Sequence, residues 1–406
     1  MSVNNLIILK FGGTSVGSVE KIKKVAKLIK KNKSKNKKII VVSSAMSGVT
    51  NEYIKKSQQI SKNFDKSEYD VLVSSGEQVA CSLLAGSLKD IGVKSRSWLS
   101  WQIPIITEGD HKASKISYIN KKDILKYINS GGIPIITGFQ GISKENKLTT
   151  LGRGGSDATA ISIAKFFNAE DCIIYTDVEG VYTTDPNVNH RAKKINKISF
   201  DEMLEMSSLG AKVMQPISIQ DAMINNVKIN VRSTFKDNKG TIISDDKNLE
   251  NKKVITGITF TRNEAKITLV GVVDRPGVAA KVFKPLSDNQ ISVDMVVQSI
   301  AADGKETNLT FTIKKDDIKK CIKILKNNKK ISYKKMLYDD RVSKVSIVGA
   351  GMISEHGVAY RMFQSLAKQK INIMVISTSE IKISVLIDQK HIKKAIKFLH
   401  KEFNLE

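Results

Sequence analysis

The sequence has 406 residues, 41% of them hydrophobic and 26% charged, and carries a formal net charge of +26. Such a length holds about two to three domains, in the proportions of an ordinary soluble globular protein. The charge would suit nucleic acid or an anionic membrane, but the lysines are spread over helix faces such as Lys21–Lys33 and Lys314–Lys330 with few aromatics between them. Bases need aromatic rings to stack on, so neither partner is expected. A basic surface still attracts small anionic substrates.

In chain order, Leu6–Leu9, Lys38–Val42, Ile133–Thr137, Cys172–Tyr175 and Val227–Val231 are short, β-branched runs that read as buried strands. Between the first two, Val19, Ile22, Val25, Ala26 and Ile29 share one stripe of a helix over Val19–Lys30. Alternation of this kind predicts an α/β fold with a mainly parallel sheet covered on both faces. Ligands then bind at the loops leaving the C-terminal strand ends.

Those loops carry chemistry. The first, Leu9-Lys10-Phe11-Gly12-Gly13-Thr14-Ser15, brings a lysine and two glycines to a strand end before a helix. Backbone N–H groups there favour phosphate, and Lys10 adds a positive charge. No Walker A pattern is present. The second, Ser43-Ser44-Ala45-Met46-Ser47-Gly48-Val49-Thr50, is small and hydroxylic. In Ser74-Ser75-Gly76-Glu77 a carboxylate is expected at a helix start, where an ordinary capping acid is the plain alternative. The fourth, Thr150 to Asp157, joins three glycines, an arginine suited to bidentate carboxylate binding and a Ser-Asp pair opening a helix. The fifth, Tyr175 to Pro186, mixes an aspartate, an aromatic and a tight turn, as a ribose and adenine pocket would, or an ordinary β-turn. Taken together these loops point to phosphoryl transfer to a carboxylate.

Polar stretches at Lys236–Lys239 and Asp245–Lys253 mark a boundary, beyond which the chain repeats itself. Gly277–Ser299 aligns with Gly357–Ser379 at an offset of 80, without a gap and with seven identities in 23 positions. Two copies of one small αβ unit account for this, either as a ligand sensor or as a dimerisation platform. The three cysteines, Cys81, Cys172 and Cys321, are far apart and form no CxxC, and the five histidines stand singly. That excludes a disulfide framework and a zinc site and suits a reducing cytoplasm. No signal peptide and no apolar run of membrane-spanning length is read from the sequence.

The same loops resemble those of the aspartate kinases. Lys10-Phe11-Gly12-Gly13-Thr14-Ser15-Val16-Gly17 is similar to their N-terminal signature, and the likeness continues through Ser75–Gln78, Gly152–Asp157, Thr176–Pro186 and Leu209–Met214. Asp274-Arg275-Pro276-Gly277 and Ile376–Ser384 resemble the tandem ACT domains of that family. The resemblance implies an amino-acid-kinase αβα sandwich over 1–245 and a regulatory region over 254–406. The latter would hold two ferredoxin-like βαββαβ units, about 265–335 and 343–406, with the strand near Val254–Phe260 completing the second. It also implies transfer of the γ-phosphate of ATP to the side-chain carboxylate of L-aspartate, the first step toward lysine, threonine and methionine.

By the same carry-over, Lys10 stabilises the transferring phosphoryl group, beside Gly12 and Gly13, and Asp157 organises the site. Glu77 holds the α-ammonium of aspartate and Arg153 its α-carboxylate, in a pocket lined by Ser44, Thr50, Phe139 and Ser156. Thr176, Asp177, Tyr182 and Lys212 contact ATP, with Mg2+ bridging its phosphates and no protein side chain assigned to the metal. Lysine, threonine or both would bind as effector among Asp274, Gly277, Ala279, Ser292, Asp294 and Gln298 of the first copy. Val358, Ala359, Asn372, Ile373, Ser379 and Glu380 are their counterparts in the second. A homo-oligomer joined through the ACT units is expected. Two departures stand out: Asn187 replaces the usual arginine after Asp-Pro, with Arg191 as a candidate substitute, and Glu355-His356 replaces a more usual His-Pro. The alternatives are another kinase of this fold, disfavoured by the sensor units, and a catalytically dead sensor, disfavoured by retention of Lys10, Glu77, Arg153 and Asp157.

Overall fold

Uninterrupted apolar runs set the first sheet. The computed structural model describes residues 5–33, 37–209, 213–245, 253–300, 306–328 and 330–406, in two units. The first takes the chain up to Val181 together with Lys194–Ser208 and 213–245; the second takes Tyr182–Lys193 and the chain from 253 onward.

The first unit opens with β1 (Leu6–Phe11), α1 (Val19–Lys33), β2 (Lys38–Ser43), α2 (Val49–Ile60) and α3 (Lys66–Asp90). There follow β3 (Ser95–Trp98), β4 (Ile105–Glu108), β5 (Lys115–Ile119), α4 (Lys122–Asn129), β6 (Ile133–Thr137), β7 (Gln140–Ile142) and β8 (Leu148–Thr150). The unit ends with α5 (Gly155–Phe167), β9 (Asp171–Thr176), β10 (Lys197–Ile198), α6 (Phe200–Ser208), α7 (Pro216–Ile224), β11 (Ile229–Ser233) and β12 (Thr241–Ile243). Eight strands form one sheet in the order β10-β12-β11-β9-β1-β2-β6-β3, and β4, β5, β7 and β8 form a smaller one. All neighbours in the large sheet run parallel except β11 and β12. Every residue of β1 and β6 is buried, as a parallel sheet covered on both faces requires. Four residues of the predicted stripe of α1, Ile22, Val25, Ala26 and Ile29, are buried against Leu9, Phe11 and α3 residues such as Leu84 and Leu88, whereas Val19, the first residue of the helix, is 52% exposed.

Glu77 does not lie at a helix start. Asp65 caps α3 by accepting from the N–H groups of Ser67 and Glu68, so Glu77 falls within the helix. Ser-Ser-Gly reads locally as a break, yet Gly76 is there for packing: a Cβ on it would lie 2.9 Å from Ala45 Cβ. By length and composition α3 is also apolar enough to cross a bilayer, contrary to the reading of the sequence, but half of its most apolar window is buried in the fold. It is a core helix.

The second unit consists of β13 (Gly257–Val273), α8 (Val278–Asp288), β14 (Val293–Ile300), β15 (Glu306–Ile313), α9 (Ile318–Asn327), β16 (Lys335–Val348), α10 (Val358–Lys368), β17 (Val375–Ser379), β18 (Lys382–Asp388) and α11 (Ile392–Glu402). The repeat is visible as α8 and α10, each entered through a left-handed glycine, Gly277 at φ 84° and Gly357 at φ 80°. Six strands pair in the order β14-β15-β13-β16-β18-β17. The long strands β13 and β16 are antiparallel from Gly257↔Val348 to Val270↔Lys335, so both copies share them. Each copy keeps its own core, around Phe311 and Leu286 in one and around Met362 and Leu399 in the other. The boundary run Asp245–Lys253 falls largely outside the described residues.

Segment Tyr182–Lys193 is built into the second copy. Val188 packs on its core, Thr183 O accepts from Ile258 N–H at 2.7 Å, and Thr183 Oγ1 lies 2.8 Å from Nε2 of the fully buried His400.

Candidate active site

The loops at the C-terminal ends of β1, β2 and β6 are stitched together by their backbones. Ser44 N–H donates to Phe11 O at 3.0 Å, Ser47 N–H to Gly13 O at 3.2 Å and Gly138 N–H to Ser43 O at 3.0 Å. Into this platform α5 points its first turn, entered through Gly154 at φ 78°. Lys10 Nζ meets Asp157 Oδ1 there at 2.5 Å, with side chains 10% and 11% exposed. A buried ammonium needs such a carboxylate, because desolvation without a partner costs several kcal/mol by order of magnitude. Gly12 adjoins the pair, its N–H donating to Tyr175 O at 3.2 Å.

Glu77 reaches the same platform from α3. It is 3% exposed; Oε1 accepts from Ala45 N–H at 3.1 Å, while the buried Oε2 has no hydrogen-bond partner among the described residues. Burial pushes its carboxyl up to about 8, against the smaller lowering effect of the Ala45 N–H. A buried polar atom left unsatisfied is uncommon and calls for a ligand or a role. Ser156 is buried in the first turn of α5, and Ser44 and Thr50 are half-buried. Phe139 holds a left-handed φ of 69°, pinned because its N–H donates to Thr159 Oγ1 at 3.0 Å and its carbonyl accepts from Leu151 N–H at 2.9 Å. Arg153 is exposed at the crest of the Gly152–Gly154 turn and makes no ion pair among the described residues. An acidic group, a basic group and a Lys–Asp pair on one platform match an amino acid and a phosphoryl donor in charge.

On the other side, Thr176 ends β9 and its hydroxyl donates to Asp177 Oδ1 at 3.0 Å. Sequence reasoning passed over the neighbouring end of β11. Thr234 N–H donates to Thr176 O at 2.9 Å, and Thr234 Oγ1 lies 2.6 Å from Ser15 Oγ in the first glycine loop. The signal was present, since Ser233-Thr234 is a hydroxylic strand end like Ser43-Ser44. A cavity of about 200 Å³ lined by Tyr175, Arg232, Thr234 and Phe235 adjoins it. Tyr182 falls in the second unit, and Lys212 lies outside the described residues. Arg191, the candidate substitute for the missing arginine, lies in the second unit, where its guanidinium donates to Glu406 Oε2 at 2.6 Å. The cysteines are free and buried, and burial raises all three thiols, which makes them poor nucleophiles at neutral pH.

In the second unit, Gln298 Nε2 donates to Asp274 Oδ1 at 3.5 Å, so two of the expected effector residues lie together. Gly277 and Ala279 stand at the entry of α8, and Val358 and Ala359 at that of α10. Ser292, Asn372, Ser379 and Glu380 are exposed. Asp294 is engaged within the chain, ion-paired with Lys344, whose ammonium also faces Glu264 at 3.3 Å. Ile373 lines a cavity of about 280 Å³ with Val297 and Thr310 of the first copy and Met374–Ile376 of the second.

Residues 5–233 match the amino acid kinase family, and residues 267–328 and 345–403 match the ACT domain. The chain is 44% identical to an aspartate kinase of Pseudomonas putida over 403 residues, covering 99% of this chain and 98% of that protein. It is 42% identical to an aspartokinase of Helicobacter pylori over 405 residues, covering 99% and 100%. Among solved structures, E. coli aspartokinase III in complex with aspartate and ADP superposes with a TM-score of 0.79 at 24% identity, over 98% of this chain and 99% of that one. The aspartate kinase of Synechocystis aligns at 35% identity with a TM-score of 0.56, over 98% of this chain and 69% of that one.

Proposed function

The chain belongs to the aspartate kinases, a branch of the amino acid kinase family that carries ACT domains, and on that footing we propose how its residues divide the work. ATP lies with its phosphates at Gly12, Gly13 and Lys10 and its nucleoside toward Thr176 and Asp177. L-Aspartate lies among Ser44, Thr50, Phe139 and Ser156, its ammonium on Glu77 and its α-carboxylate on Arg153. Its side-chain carboxylate then faces the γ-phosphorus. A carboxylate oxygen attacks, the bond to the β-phosphate oxygen breaks, and ADP and 4-phospho-L-aspartate result. Lys10 stabilises charge gathering on the transferring oxygens, held to that task by Asp157. Mg2+ would arrive with the nucleotide and would neutralise charge on its phosphates.

Glu77 carries this reading. A buried carboxyl, one oxygen of which has no partner among the described residues, selects a substrate with an ammonium at that end. The ACT copies support a regulatory role for residues 254–406, beside a catalytic 1–245, with lysine or threonine as effector and a homo-oligomer as the assembly. The product then feeds the synthesis of lysine, threonine and methionine in the cytoplasm.

Hydroxylamine traps acyl phosphates as hydroxamates and so reads the product directly. With ATP and Mg2+, L-aspartate should give hydroxamate and succinate, which lacks the ammonium, should give little. Equal rates with succinate would remove Glu77 from substrate reading.

A further inference from the structure

Asp70, a carboxyl residue, is fully buried and has no part in the chemistry above. It lies seven residues before Glu77, two turns along α3, so both face inward on one side of the helix. Ser74, between them, accepts at its carbonyl from Gln140 Nε2 at 3.0 Å. Three polar contacts thus follow one another along α3: Glu77 meets the β2 loop, the Ser74 carbonyl meets β7, and Asp70 meets the two loops beyond.

Both oxygens of Asp70 are used. Oδ1 accepts from Thr150 Oγ1 at 2.5 Å. Oδ2 accepts from Lys112 N–H at 3.2 Å and lies 2.7 Å from His111 Nδ1. Thr150 ends β8 and leads directly into Gly152-Arg153-Gly154. The same loops touch again where Ser114 N–H donates to Thr150 O at 3.1 Å. Gly152, at φ 75°, passes so close that a Cβ there would lie 2.8 Å from Lys112 O.

We infer that Asp70 is a positioning residue for the amino-acid substrate, fixing the distance between Glu77 on its own helix and Arg153 on the loop that it clamps through Thr150 and Lys112. An α-amino acid has a fixed span between ammonium and carboxylate, so two groups on separate elements can read it only if that distance is held. Charge-assisted hydrogen bonds are the stronger kind, and one carboxylate gathering three donors from two loops restrains the turn more tightly than packing of its small residues can. This inference rests on the proposed roles of Glu77 and Arg153.

The test uses full-length Asp70→Asn, Thr150→Val and their double variant, with KM for aspartate, KM for ATP and thermal midpoint measured for each. Each single variant should raise KM for aspartate about tenfold, as expected for losing a hydrogen bond to a charged group, with KM for ATP within about twofold. The double should do little more than the stronger single, because one contact is removed twice. Thr150→Val keeps the side chain's shape and decides alone if Asp70→Asn does not accumulate folded. An unchanged KM for aspartate in Thr150→Val overturns the inference. Equal rises for both substrates also overturn it, since they mark general loosening. Glu77→Gln and Arg153→Ala run in parallel: if these leave KM for aspartate unchanged, the pocket assignment itself fails.

Discussion

Lys10 Nζ and Asp157 Oδ1, far apart in sequence, lie 2.5 Å apart at the junction of β1 and α5. The pair gives the ammonium a fixed position at the glycine loop, and a preorganised charge of that kind acts on the transition state more than on bound substrate. Lys10→Ala should therefore lower kcat by about 10²–10³-fold, with little change in KM for aspartate. ADP release in a coupled assay measures it; turnover near that of the parent would exclude the lysine from the transfer step.

Glu77 predicts a pH dependence. Burial raises its carboxyl to about 8, so below that pH the ligand-free site holds it protonated, and an arriving ammonium must displace the proton. Affinity for aspartate should fall as pH drops from 8.5 to 6.5, proton release should accompany binding, and Glu77→Gln should bind weakly without that slope. Calorimetry in two buffers of different ionisation enthalpy reads the released proton. A pH-independent affinity in the parent would contradict the assignment.

Arg153 is exposed and unpaired among the described residues, as a group kept for a ligand is. Arg153→Ala should raise KM for aspartate about 10- to 100-fold, the span of losing a charged hydrogen bond, and leave KM for ATP near its original value. If the two effects are reversed, the arginine belongs to the nucleotide.

His400 ties α11 to Thr183. Burial holds its imidazole below the usual histidine range, with Lys193 adding to that and Glu406 opposing it. A folded pKa below the unfolded one leaves the fold unpenalised above about pH 6.5 and destabilises it as pH falls through and below that value. The thermal midpoint should then drop more steeply between pH 7 and pH 5 in the parent than in His400→Gln. Parallel slopes would show that the imidazole does not titrate against the fold.

Asp274 and Gln298 are neighbours at the entry of α8, away from Lys10 and Glu77 in sequence and exposed. Asp274→Ala should relieve inhibition by lysine or threonine and leave uninhibited turnover within about twofold. Effector coupling of about 1–3 kcal/mol is reciprocal for binding, so effector titrations with and without aspartate should shift by equal factors. Inhibition that survives unchanged in Asp274→Ala would move the effector elsewhere.

Much was legible from local pattern. Short uninterrupted apolar runs mark β1, β2 and β6, and a period of 3.6 marks α1, because a strand covered on both faces is apolar throughout and a helix is apolar where it faces the core. Glycine and hydroxyl residues at strand ends mark the loops, and an offset of 80 marks α8 and α10 as copies. Lys10, Gly12 and Asp157 could be named on that basis. Only the tertiary structure decided that Glu77 is mid-helix, since Gly76 serves contact with Ala45 rather than a turn. It alone engaged Asp294 with Lys344 and Arg191 with Glu406, and buried Asp70 among donors from two distant loops. A charged residue carries no period, and the partner that decides its role is brought by folding from a part of the chain that leaves no mark beside it in sequence.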